Sequence, residues 1–254
     1  MLWIPLTRFE NARSVTAALE QVAGRFAILE HRSPDPAGAS RVLLGCGRPE
    51  QLVPALEAVL NRVTAETALL ADALDAREDI PAGATLRTAA HAVRFARALG
   101  LDPEQSWRLQ QAALWRGVGK LELDNDLLLK KNLLTYEEWL KIRTYPVLGA
   151  EMLSRRGLAD AVIAETVRHH TENYDGPGYP NGLEGRAIPF EARVLRIVDV
   201  FCAMTSPRHY RSGYASIEED LAYLQERRGS QFDPELADRF VAAASDTARA
   251  WPEP

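Results

Sequence analysis

Residues 172–211 read ENYDGPGYPNGLEGRAIPFEARVLRIVDVFCAMTSPRHYR. The first half is a loop by composition. Gly176, Gly178, Gly182 and Gly185 permit backbone conformations with positive φ, and Pro177 and Pro180 stiffen the path between them. From Pro189 the segment PFEARVLRIVDVFCAMTS reads as a helix. Just upstream stand two adjacent histidines, His169 and His170. Histidines close to acidic residues invite a metal reading.

Working outward, the chain from about residue 79 reads as helices divided by turns. LRTAAHAVRFARALGL closes at Gly100. The next helix starts with Asp102 as N-cap and Pro103 at its first position. LTYEEWLKIRTYPVLGAEMLSRRG begins with a capping box of Thr135 and Glu138. LADAVIAETVRHH, SIEEDLAYLQERRG and DPELADRFVAAAS supply further helices.

The N-terminal part differs. LWIPL, RFAILEH and SRVLLGC are short apolar runs between turn residues, which predicts strands. Between the first two, Val15, Leu19 and Val22 fall at helical spacing before Gly24. Residues 1–46 therefore read as a small α/β module, 47–78 as a long connecting helix, and 79–254 as a helical domain. The connecting segment carries an apolar stripe through Leu52, Leu56, Val59, Leu60 and Val63. That stripe either packs on its own domain or forms a homodimer through 48–78.

The bulk properties exclude some classes. Apolar residues make up 46% of the 254, charged residues 26%, and the net charge is −5, so no global signature for nucleic acid or membrane appears. Cys46 and Cys202 make neither a CxxC pair nor a disulfide framework. With no leader and no long apolar run at the N-terminus, a cytoplasmic protein is expected. There is no GxSxG elbow or Walker A loop.

The ENYDG…R-x-Y-R block, LLLKKNLLTYEEWLKIRTYPVLGAEML and GSQFDPELADRF together resemble the HD-GYP family. That family is an all-helical branch of the HD metal-dependent phosphohydrolases, and its members hydrolyse cyclic di-GMP. The likeness covers roughly residues 70–245. It implies a mainly α protein, an all-helical HD-GYP-like domain preceded by the small α/β module. In active members two or three iron or manganese ions polarise a phosphoryl oxygen and activate a bridging water.

The resemblance assigns the ligand positions of this chain residue by residue. Its five lost ligands fall on Ala84, Arg116, Gly117, Tyr145 and Thr171, while His170 and Asp199 match. His169 lies one residue too early, and Cys202 replaces a second Asp. Lys120 matches the lysine near the metals. Two ligands do not close a di-metal site, so no metal cofactor is expected. Arg116 would place a permanent cation where the metals sit. It is expected to pair with Asp199 instead.

Three functional readings follow from this resemblance. One is a catalytically inactive regulatory interaction module in cyclic di-GMP signalling. It would dock a diguanylate cyclase (GGDEF) or other signalling protein through the loop at Gly178, Tyr179 and Pro180. The second is a metal-free receptor for cyclic di-GMP or a related nucleotide, held by Arg116, Lys120, Arg208 and Arg211, with Arg193 nearby. The same charges could instead pair with neighbouring acids. The third is a residual phosphodiesterase that recruits ligands such as His169, Glu172 or Asp175. Neither nucleic acid nor a membrane is expected as a partner.

Overall fold

A computed structural model describes residues 3–6, 26–31, 40–46, 71, 73–78, 80–81, 83–205 and 216–246. The helix expected before Gly24, most of the connecting helix, and both Arg208 and Arg211 lie outside the described residues. The chain divides into two compact units, residues 1–69 with 153–161, and residues 70–152 with 162–254.

In the first unit three strands form an antiparallel sheet in the order β1-β3-β2: β1 is Trp3–Leu6, β2 is Phe26–His31 and β3 is Ser40–Cys46. These are the three apolar runs read as strands. The register pairs Trp3 with Leu43 and Phe26 with Cys46, and it slips between Ile28 and Glu30.

From residue 71 on, the described chain is mainly helical. Helix α1 (Ala84–Leu99) follows Gly83, which is left-handed at φ 81° and offers no side-chain cap. A carboxylate from earlier in the chain serves instead. The buried Asp75 accepts the Thr85 N–H at 3.1 Å and the Thr85 hydroxyl at 2.7 Å. Gly100, also left-handed, closes α1. Helix α2 (Pro103–Trp115) has the expected Asp102 cap, completed as a box by Gln105. A 3-10 turn (Val118–Glu122) and a short α3 (Asn125–Leu128) follow.

Helix α4 (Tyr136–Ile142) opens on the expected Thr135–Glu138 box. The sequence pattern reads on without a break, but the structure starts a separate helix α5 at Tyr145–Arg156. Pro146 accounts for the break. It has no N–H for the Ile142 carbonyl and its ring would collide with that carbonyl, yet it fits a first helical turn. Helix α6 (Ala161–His169) leads into the glycine-rich loop. Helices α7 (Phe190–Thr205), α8 (Ile217–Glu226) and α9 (Pro234–Asp246) complete the unit.

Helix α1 packs most extensively on α2, then on α7 and α9. Their core is aromatic. Phe240 of α9 meets Phe95 of α1 edge-on at 4.9 Å and Phe201 of α7 at 5.1 Å. His91 continues the cluster, 5.9 Å from Phe201. Burial, with Arg94 and Arg87 close by, lowers its pKa to about 4, so it is a neutral core residue at pH 7. Among the described residues no helix is long and apolar enough to cross a membrane.

Candidate functional site

The helices bring the two retained residues, the buried His170 and the half-buried Asp199, into one centre. Asp199 sits midway along α7, and Arg116 caps the C-terminus of α2. Arg116 Nε donates to Asp199 Oδ1 at 2.5 Å. Its Nη1 donates to the Ala113 carbonyl at 2.9 Å and to Thr85 Oγ1 at 3.3 Å. The guanidinium thus links α2, α1 and α7 in one network that runs on to Asp75. Burial pushes the Asp199 carboxyl up, but Arg116, helped by His170 and Lys120, outweighs it and brings the pKa down to about 2. Arg116 is likewise held above its ordinary range. Burial alone would lower it, and Asp199 reverses that.

His170 is fully buried just past the end of α6. Its Nδ1 lies 2.7 Å from the Val167 carbonyl, and its Nε2 lies 3.0 Å from the Tyr145 hydroxyl. A carbonyl only accepts, so Nδ1 carries the proton and the Nε2 lone pair receives the tyrosine O–H. Burial brings the His170 pKa down to about 4 and raises that of Tyr145 well above 10. At neutral pH the tyrosine is therefore a donor and the imidazole an acceptor.

The two retained side chains are engaged by residues at two positions where the resemblance puts lost ligands. Arg116 takes the carboxylate and Tyr145 takes the imidazole nitrogen. A third such position, Thr171, is buried and donates from Oγ1 to the Tyr179 carbonyl at 2.7 Å. Ala84 is the first residue of α1, and Gly117 precedes the 3-10 turn, where a Cβ would lie 3.2 Å from Glu78 Oε1. Cys202 is buried one turn beyond Asp199, and burial pushes its thiol up to about 12. His169 turns away from the centre, with Nε2 3.2 Å from Glu165 and Nδ1 3.5 Å from Glu172.

The glycine-rich loop is built around a buried carboxylate. Glu172 accepts the Asn181 N–H at 2.8 Å and the Gly182 N–H at 3.1 Å. At Gly178 a Cβ would fall 2.2 Å from the Asn173 nitrogen, so the backbone passes too close for any side chain. The Arg143 guanidinium lies 4.1 Å from the Trp139 ring centre and 4.5 Å from that of Tyr179, and its Nη2 donates to the Gly178 carbonyl at 3.0 Å. Tyr136 stacks on Trp139 at 6.2 Å, which extends this ladder along α4. The apolar surface at the start of α4 is open: Tyr136 is 69% exposed, and Leu133, three residues before it, 96%.

A family model described as an HD domain matches residues 68–236. The chain belongs to the HD domain family. This HD domain is 36% identical over 196 residues to the cyclic di-GMP phosphodiesterase response regulator RpfG of Xanthomonas campestris pv. campestris, covering 76% of this chain and 51% of that protein. It is 33% identical to a cyclic di-GMP phosphodiesterase of Vibrio cholerae, covering 76% of this chain and 42% of the other. The chain thus spans about half the length of these relatives, or less. A crystal structure of a cyclic GMP-AMP specific phosphodiesterase of V. cholerae shares the fold, with a TM-score of 0.56 and 21% identity over 72% of this chain and 49% of the other.

The iron or manganese centre implied by the HD-GYP resemblance does not fit the residues of this HD domain. Among the described residues no group of three or more His, Cys, Asp or Glu side chains comes together as ligands. Both retained donors are already hydrogen-bonded, and the cation on Asp199 would repel a divalent ion. Among the described residues the candidate phosphate-binding charges are paired as well. Lys120 forms an ion pair with Glu78 and lies 4.8 Å from the Tyr145 ring centre, and Arg193 pairs with Asp233.

Sequence reasoning singled out neither Tyr145 as a donor to His170 nor Arg143 as a clamp on the loop. Glu78 and Asp75 also went unremarked. The only local signal was the compact run Arg143-Thr144-Tyr145-Pro146, where a proline break lets neighbouring side chains face different surroundings.

Proposed function

We propose that this HD domain is a non-hydrolytic member of the HD-GYP branch and acts as a regulatory interaction module in cyclic di-GMP signalling. One observation carries the reading: Asp199 and His170 are each taken up by a residue at a position where a metal ligand would otherwise stand. A water-activating centre needs those two donors with their lone pairs directed at metal. Here one faces a guanidinium and the other a phenol.

The loop at Gly178, Tyr179 and Pro180, with exposed Trp139 against its Arg143 clamp and Tyr136 stacked on Trp139, supports the interaction role. The partner class proposed from the resemblance is a GGDEF diguanylate cyclase or a comparable signalling protein. The decisive experiment measures metal content and hydrolysis of cyclic di-GMP and cyclic GMP-AMP on the same preparation. Substoichiometric iron and manganese with no turnover is expected. Near-stoichiometric metal together with hydrolysis would sink the reading.

A further inference from the structure

Tyr179 is gripped from several sides. Its carbonyl accepts the Thr171 hydroxyl at 2.7 Å. Its ring carries the Arg143 guanidinium at 4.5 Å, and that guanidinium also holds the preceding carbonyl, Gly178 O, at 3.0 Å. Thr171 stands at a position where the resemblance puts a metal ligand. A side chain at the supposed metal centre is therefore directed at the surface loop.

We propose that Thr171 and Arg143 are positioning residues that hold the Gly178–Pro180 loop in a single conformation without metal. The chemistry suits that task. A hydroxyl group and a guanidinium supply donors, and the loop backbone at residues 178 and 179 presents carbonyl acceptors. Glu172 fixes the far side of the loop through the Asn181 and Gly182 N–H groups. The loop is thus clamped at both ends from the buried side, with its outer face left half-exposed. Such a surface enters a complex with little ordering left to do.

The proposal uses the same assignment of ligand positions as the functional reading, but its readout is loop order, not turnover. Hydrolysis found in the assay above would remove that reading and leave this one standing. The test is hydrogen–deuterium exchange on the full chain, read at the Tyr179, Asn181 and Gly182 amides. In the wild type these amides are protected equally with chelator and with added manganese. Thr171→Val raises their exchange about tenfold, the loss of one net hydrogen bond. Amides of α1 and α7 keep their wild-type rates, and Thr171→Ser restores loop protection. Unchanged loop exchange in Thr171→Val, or wild-type protection that appears only with manganese, overturns the proposal.

Discussion

Arg116 Nε donates to Asp199 Oδ1 at 2.5 Å, joining the end of α2 to the middle of α7 across 83 positions of sequence. The pair is mostly out of water, with side-chain exposures of 15% and 25%. Neither charge is easily spared while the other remains.

Arg116→Met therefore strands the Asp199 carboxylate. Its cost is about 2–4 kcal/mol, somewhat below that of breaking a fully buried pair because some solvent reaches both side chains. Arg116→Met combined with Asp199→Leu recovers most of the loss, since an apolar pair of similar size needs no desolvated charge. Urea denaturation of the four proteins of this cycle measures the coupling. A double variant as unstable as the single one contradicts the account.

Acid weakens the helical unit in two stages. His170 and His91 have folded pKa values near 4, below the ordinary 6.5, so the unfolded chain takes up their protons first. Stability is full above pH 6.5 and falls as pH drops toward 4, by on the order of 3 kcal/mol per histidine. Asp199, held near 2, adds a further loss between about 4 and 2. Melting temperature followed from pH 7.5 to pH 4 records the first stage, and His91→Leu removes part of its slope. A flat profile contradicts neutral, buried imidazoles.

Much of this unit is legible in the sequence because its punctuation is local. Asp102 with Pro103, Thr135 with Glu138, and Gly100 each mark a helix end through neighbours a few residues apart. The three strands of the first unit show in their apolar runs. The centre is different. Tyr145 and His170 are 25 residues apart, and Lys120 and Glu78 are 42 apart. No spacing rule predicts such pairs, because they arise from how helices cross. The Arg116–Asp199 pair was foreseeable only because the resemblance placed both residues in one centre, where opposite charges find each other. The division between α4 and α5 needed the geometry of Pro146 more than the apolar period, which runs through it.

Manganese, ferrous iron and chelator are expected to leave the melting temperature unchanged. A metal that bound only the folded state would raise it in proportion to the logarithm of its concentration. Thermal scans across a metal titration check this. A concentration-dependent rise reveals a site that Arg116 and Tyr145 do not close.

Backbone contact sets a sharper limit at Gly119. A Cβ there would sit 1.9 Å from the Tyr145 carbonyl oxygen and 2.4 Å from the Gly149 nitrogen, both main-chain atoms that cannot step aside. Gly119→Ala costs about 3 kcal/mol or more, by forcing the 3-10 turn away from α5. Gly185→Ala meets nothing within 4 Å and pays only for its φ of 58°, about 1 kcal/mol. Chemical denaturation of the two variants should separate them clearly. Equal losses contradict the close approach.

The stack of Trp139, Arg143 and Tyr179 also has a spectroscopic consequence. The indole of Trp139 shares its neighbouring cation with the loop tyrosine, so displacing Tyr179 changes the charge and polarity around one emitter. The protein carries its own optical reporter on the face proposed to meet a partner. Occupancy of that face can be followed by tryptophan emission in unlabelled protein, with Trp139→Phe as the blank.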